Sequence, residues 1–183
     1  MINGQSVLAV IPARGGSKRV PGKNLRDYRG AWLVEYAIKA ADGSQYIDEF
    51  VVSSDDEAIL DRAYKCGAMT LERPAWLATD AAMNEGVMIH TLYTHRWADW
   101  CVLLQPTSPQ STSADIDTCI ERAQHGVGCI SYDEYGKRNG AVYVVKSEHL
   151  VAAACFSLDV GKIFYTMPND RSLDIDYEVD FAR

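Results

Sequence analysis

The stretch Val7-Leu8-Ala9-Val10-Ile11-Pro12-Ala13-Arg14-Gly15-Gly16-Ser17-Lys18-Arg19-Val20-Pro21-Gly22-Lys23-Asn24 decides how this chain folds. Five apolar residues ended by Pro12 have the length and flanks of a fully buried strand. A glycine-rich basic loop follows, and beyond it the pattern turns helical. Trp32, Leu33, Tyr36, Ala37, Ala40 and Ala41 recur at helical spacing until Asp42-Gly43, which predicts a helix over about 31–42.

The same alternation continues outward. Phe50-Val51-Val52-Ser53 reads as a second strand, and Ile59, Ala63 and Cys66 mark the inner face of the helix after it. A short strand from Met69 to Leu71, a helix over about 84–97, the strand Cys101-Val102-Leu103-Leu104 and a helix over about 113–125 complete the rhythm. Strands alternating with helices predict an α/β fold: a three-layer, Rossmann-like arrangement around a mostly parallel sheet. After Gly126 the pattern changes. Cys129-Ile130-Ser131, Ala141 to Val145 and Ile163 to Met167 read as strands with little helix between them, which predicts a mixed or antiparallel edge. No repeat or linker interrupts the chain, so residues 1–183 are expected to form one domain.

Composition narrows the partners. The 183 residues carry a net charge of −7, which argues against general binding to nucleic acid or an anionic membrane. No stretch approaches the roughly 18 apolar residues of a membrane span, and a cytoplasmic location is expected. The five cysteines, at 66, 101, 119, 129 and 155, are odd in number and widely spaced, so free thiols in a reducing compartment are expected. The histidines form no metal pattern.

Against that acidic background, Arg14 to Arg26 holds five cations and no acid, leaving −12 for the rest of the chain. In open α/β sheets ligands sit beyond the carboxyl ends of strands, where this loop lies. Small residues let backbone N–H groups approach an anion, and Lys and Arg supply charge for a polyphosphate. The loop is not a Walker A motif, because five residues separate Gly16 from Gly22 and Asn24 stands where Ser or Thr would hold Mg²⁺. Asp174 and Asp176, two apart in an extended segment, point to one side and suit a hard cation such as Mg²⁺. Asp176 also suits the cap of a helix beginning near Tyr177, with Glu178 and Asp180 in its first turn. Gln105, at a strand end before Pro106, suits either a ligand contact or a bond to loop backbone.

The motif Ile11-Pro12-Ala13-Arg14-Gly15-Gly16-Ser17-Lys18, with Pro21-Gly22-Lys23-Asn24, resembles the opening of the CMP-sialic acid synthetase family, the cytidylyltransferases that activate sialic, pseudaminic and legionaminic acids. Further matches follow in order: Ser53-Ser54-Asp55-Asp56, Arg73-Pro74 with Leu77-Ala78 and Asp80, Leu103-Leu104-Gln105-Pro106-Thr107-Ser108-Pro109, Asn139-Gly140-Ala141-Val142-Tyr143 and Asp174-Ile175-Asp176.

The resemblance implies a nucleotidyltransferase that moves CMP from CTP to a 2-keto-3-deoxy sugar acid and releases pyrophosphate, with Mg²⁺ on Asp174 and Asp176. Arg14, Ser17, Lys18 and Lys23 match phosphate-contacting positions, among Ala13, Gly15 and Gly16 of the same loop. Asn24 and Arg73 match positions near the nucleoside, as do Ala82 and Asn84, and Gln105 and Tyr143 match positions facing the sugar acid. Arg14, Lys18, Lys23 and Asp176 would carry the catalysis.

The chain also departs from the family. Only Ser131 to Arg138 separates Ile130 from Asn139, where relatives carry an insertion that reaches a partner subunit and supplies basic residues for the sugar carboxylate. A homodimer is therefore left open. Met83-Asn84 replaces two small serines, and Gln110-Ser111 replaces Leu-Arg. Two alternatives stay open: a catalytically weak nucleotide-binding protein, and a nucleotidyltransferase using another acceptor or base.

Overall fold

The computed structural model describes residues 1–156 and 163–183. Its strands are β1 (Val7–Pro12), β2 (Asp27–Tyr28), β3 (Ala31–Trp32), β4 (Glu49–Ser54), β5 (Met69–Glu72), β6 (Trp100–Leu104), β7 (Gly128–Tyr132), β8 (Arg138–Lys146) and β9 (Phe164–Thr166). The helices are α1 (Leu33–Asp42), α2 (Glu57–Lys65), α3 (Asn84–Thr94), α4 (Ser113–Ala123) and α5 (Ser147–Ala153). Seven strands form the main sheet in the order β5-β4-β1-β6-β8-β7-β9, and β2 and β3 form a separate two-stranded ribbon.

β1 is central because both its faces are apolar. Val7, Ala9 and Ile11 point into the core under α1, α2 and α4, while Leu8 and Val10 point into the core under α3 and α5. That alternation is the period-2 geometry of a strand covered on both sides, and it produces the expected three layers. β1 pairs in parallel with β4 on one side and β6 on the other. The chain thus reverses its direction of winding between them, opening a crevice at the carboxyl ends of β1 and β6.

The later half of the sheet is mixed, as expected. β8 pairs antiparallel with both β6 and β7, whereas the edge strand β9 pairs parallel with β7. The reversed strand is therefore inside the sheet, and its amino end faces the crevice. There the β7–β8 register shifts between Ile130 and Tyr132. Buried Asn139 fills the irregularity: its Oδ1 accepts from Ser131 Oγ at 2.6 Å and from the Ala141 N–H at 3.2 Å. Gly140 beside it has φ +77°, a left-handed conformation that strains any side chain.

Boundaries moved in other places. The first helix begins at Leu33 because Ala31 and Trp32 pair with the 27–28 strand. The third and fourth helices end at Thr94 and Ala123, short of the expected 97 and 125, and α5 was not expected. Cys101, Cys119 and Cys129 are buried free thiols, but Cys155 is exposed. Among the described residues, no helix is long and apolar enough to cross a membrane.

One buried carboxylate ties the end of the chain to this frame. Asp115, 1% exposed, caps the start of α4 by accepting from the Thr112 N–H at 3.0 Å. Its oxygens also accept from Arg171 Nε at 3.0 Å, Arg171 Nη2 at 3.0 Å and the Tyr165 hydroxyl at 2.9 Å. Burial alone would raise its pKa, but Arg171, Thr112 and Tyr165 together hold the carboxyl below its ordinary value. Its contribution to stability is therefore complete above the unfolded pKa of about 4 and is lost as pH falls through the lowered folded value. Replacing Arg171 by Ala leaves a buried charge unpaired. Urea denaturation is expected to show a loss of about 2–3 kcal/mol at pH 7. The gap between variant and wild type should shrink as pH falls and close only below the lowered folded pKa of Asp115, where the wild-type carboxyl is neutral as well.

Candidate active site

A cleft of about 680 Å³ opens at the carboxyl ends of β1 and β6. Arg14, Ser17, Lys18, Lys23 and Asn24 line it from the first loop, Arg73, Ala82 and Asn84 from the segment leading into α3, Gln105 and Thr107 from the loop after β6, and Asp174 and Asp176 from the C-terminal segment. Residues drawn from four distant stretches of sequence thus converge on one space. A second cleft, of about 670 Å³, is bounded by Gln5, Ala98 and Asp99, which precede β1 and β6, and so lies at the opposite end of those strands.

The first loop differs from a bare cationic cradle. Arg14 Nη2 pairs with Asp80 Oδ1 at 2.8 Å, and Lys18 pairs with the other oxygen of Asp80. Arg19 and Lys23 meet Asp176 at 2.8 and 3.3 Å, and Arg26 forms two bonds to Glu178 at 2.8 and 3.0 Å. Every cation of the loop thus faces a carboxylate from outside it. The Lys18 and Arg14 bonds hold the Asp80 carboxyl below its usual pKa.

Backbone donors in the loop are also partly engaged. The Ala13 N–H donates to the Ser53 carbonyl at 3.0 Å, and the Gly15 N–H to Asp55 Oδ1 at 3.0 Å. In this conformation both N–H groups have partners within the chain. Gly15 is required for another reason: a Cβ there would lie 2.6 Å from Asp56 Oδ2, the carboxylate group that caps α2. A Cβ on Gly16 would meet nothing within 4 Å.

Asn24 is buried and donates to the Arg14 carbonyl at 2.9 Å, so it shapes the loop. Arg73 is 5% exposed and donates to the Ser53 carbonyl at 2.6 Å and Ser53 Oγ at 3.3 Å. No carboxylate among the described residues forms an ion pair with it. Burial lowers its pKa to about 10, with Asp55 opposing that shift and Arg14 reinforcing it.

On the opposite wall, Leu173 and Ile175 are buried while Asp174 and Asp176 face the cleft, as their spacing predicts. The Ile175 N–H donates to the Thr107 carbonyl at 2.8 Å, docking this segment on the loop that carries Gln105. Burial raises the pKa of Asp174, Thr107 lowers it by a hydrogen bond, and the charge of Asp176 adds to the rise. Asp176 does not cap the final turn, Glu178–Ala182. That is done by Asp180, whose Oδ2 accepts from the Asp176 and Tyr177 N–H groups at 3.0 and 2.8 Å. Gln105 lies beside Gly140, where a Cβ would be 3.5 Å from its Nε2 and 3.9 Å from Asp174 Oδ2. Tyr143 is set back from the cleft and packs on Phe156, ring centroids 5.1 Å apart. Asp55, Asp80 and Thr107 stood in the sequence only as parts of motifs, with no role given to any of them. Nothing in local spacing shows which loop they face.

An open α/β sheet with a cationic loop at its switch point, a carboxylate pair opposite and a polar cleft between them defines a nucleotidyltransferase. The cytidylyltransferase family model matches residues 8–145, and the chain belongs to that family. A CMP-N,N'-diacetyllegionaminic acid synthase of Legionella pneumophila is 30% identical over 96% of this chain and 93% of its own length. That alignment runs to 220 positions, longer than this chain, so the relative carries residues with no counterpart here. An N-acylneuraminate cytidylyltransferase of Escherichia coli is 28% identical, and the alignment covers 96% of this chain but 50% of that protein. The fold also matches a CMP:2-keto-3-deoxy-manno-octonic acid synthetase solved with CTP, at 14% identity and TM-score 0.77 over 96% of this chain and 95% of the other.

A buried cation without a carboxylate weakens the free fold and strengthens the hold on a ligand. Arg73→Met is therefore expected to keep or raise the melting temperature of the ligand-free protein. By calorimetry the same variant should bind CTP about 10- to 100-fold more weakly.

Proposed function

We propose that the protein, acting as one domain over residues 1–183, transfers CMP from CTP to a 2-keto-3-deoxy sugar acid of the sialic, pseudaminic or legionaminic type. The observation that carries this reading is the meeting of Arg14, Lys18 and Lys23 with Gln105 and the Asp174–Asp176 pair in one cleft. The named activities of the relatives support the acceptor class.

In this reading the CTP phosphates lie along the first loop, and Arg73, Asn24, Ala82 and Asn84 surround the nucleoside. The acceptor hydroxyl oxygen forms a bond to the α-phosphorus while the bond to the β-phosphate oxygen breaks, and the hydroxyl proton is released to water. Pyrophosphate leaves on the side opposite the attack. Arg14, Lys18 and Lys23 neutralise the charge that gathers on it, and Gln105 orients the sugar acid. Tyr143, set back from the cleft against Phe156, is assigned to the acceptor end on the resemblance alone. No covalent protein nucleophile is needed.

The donors also suit Mg²⁺. Among the described residues no group of three or more His, Cys, Asp and Glu gathers as a closed metal site. Two carboxylates on one cleft wall instead suit a hard cation that keeps waters and phosphate oxygens in its shell. When bound to Asp174 and Asp176, Mg²⁺ would supply positive charge beside the reacting phosphate. The turn at 133–137 is short, so this reading gives the acceptor's carboxylate to this chain's own cations rather than to an arm at that turn from a partner subunit.

Pyrophosphate release with CTP and Mg²⁺, assayed against a panel of sialic, pseudaminic, legionaminic and shorter keto-deoxy acids, tests the proposal. Turnover is expected with at least one of them, and Asp176→Asn should lower it about 100-fold or more. Full turnover by Asp176→Ala would remove the metal role. Stabilisation by CTP with no turnover on any acceptor would favour a binding protein.

A further inference from the structure

Asp80 and Asp176 are the two half-exposed carboxylates that each take two cations of the first loop, and of these Asp80 is the one outside the Asp174–Asp176 pair. It lies on a turn between the 3-10 turn Ala75–Leu77 and α3, closed by the Ala82 N–H donating to the Thr79 carbonyl at 3.2 Å. One of its oxygens takes Arg14 and the other takes Lys18. No backbone N–H among the described residues donates to it. Its side chain is 43% exposed and that of Lys18 81%, so neither is fixed by packing. Asp115 is the contrast, since it is buried and bonded from several directions. Asp80 thus places two anionic oxygens against two cations inside the cleft where a polyphosphate would bind, in the manner of two phosphate oxygens.

We propose that Asp80 is a built-in competitor for the phosphate-binding cations: it occupies Arg14 and Lys18 in the free protein, yields to a polyphosphate, and takes them back as pyrophosphate leaves. This rests on the reading that Arg14 and Lys18 meet the phosphates of CTP. Any ligand that uses both cations must first displace Asp80, whereas cytidine monophosphate, which has no β- or γ-phosphate, need not. Asp80 therefore sets a charge threshold for the site and limits retention of the pyrophosphate product. It acts through Arg14 and Lys18 and is a selecting residue, distinct from the groups that touch the reacting atoms.

The opposite role, orienting the two cations for the ligand, gives the opposite result on mutation. Calorimetric titration of the full chain in Mg²⁺ buffer with inorganic pyrophosphate, CTP and CMP separates them, using wild type, Asp80→Asn, Asp80→Ala and Asp80→Glu. Pyrophosphate and CTP are expected to bind about 3- to 10-fold more tightly to the Asn and Ala variants. CMP should stay within about twofold of wild type, and Asp80→Glu should restore wild-type pyrophosphate affinity. Pyrophosphate binding that is unchanged or weaker in both neutral variants, with CTP still binding wild type, overturns the role of Asp80 alone. Failure of CTP to bind wild type overturns the nucleotide reading and this inference with it.

Discussion

Five like charges within thirteen residues repel one another, and the site depends on how the fold resolves that repulsion. Carboxylates from two regions remote in sequence are brought to the loop: Asp80 from before α3, and Asp176 and Glu178 from the C-terminal segment. Each pairing crosses a large sequence separation, so the loop takes its shape only when the sheet and the last segment are both in place. Exposed pairs of this kind are individually weak. Such weakness suits a surface whose cations must change partners.

The C-terminal segment is fixed by stronger means. Arg171 enters the buried Asp115 site at the start of α4, and Asn139 Nδ2 donates to Ser172 Oγ at 3.1 Å from inside the β7–β8 irregularity. Leu173 and Ile175 then pack with Tyr28 and Leu33, and Arg26 lies over the Phe181 ring at 4.9 Å. Apolar burial and a desolvated ion pair thus hold the backbone of 171–176 firmly, while the side chains of Asp174 and Asp176 face the cleft. The anchor lies on the sheet side and the chemistry on the open side.

Much of this was legible from local pattern. The run Val7 to Ile11 and the helical spacing after it revealed the three layers, because burial on both faces leaves a continuous apolar strand. Cations among glycines marked the loop that lines the cleft, and the two-residue spacing of Asp174 and Asp176 put both on one side. What escaped was set by partners distant in sequence. The inward position of β8 follows from its pairing with β6 rather than from its own composition. Helix α5 is too short to show a period. Asp180, not Asp176, caps the last turn because Asp176 is drawn away by Arg19 and Lys23. The quenching of the loop's charge by Asp80 is invisible in a sequence where the two lie more than fifty residues apart.

The reversal of β8 reaches beyond the sheet itself. Because its amino end lies at the carboxyl end of β6, the turn between β7 and β8 is at the same end of the sheet as the cleft, and Gly140 of β8 lies next to Gln105 and Asp174. Chain inserted at this turn falls outside the paired residues of β7 and β8. The entropic cost of a longer loop grows only with the logarithm of its length. The fold therefore lets this hairpin change length at little cost to the sheet, beside the wall that carries Gln105 and Asp174.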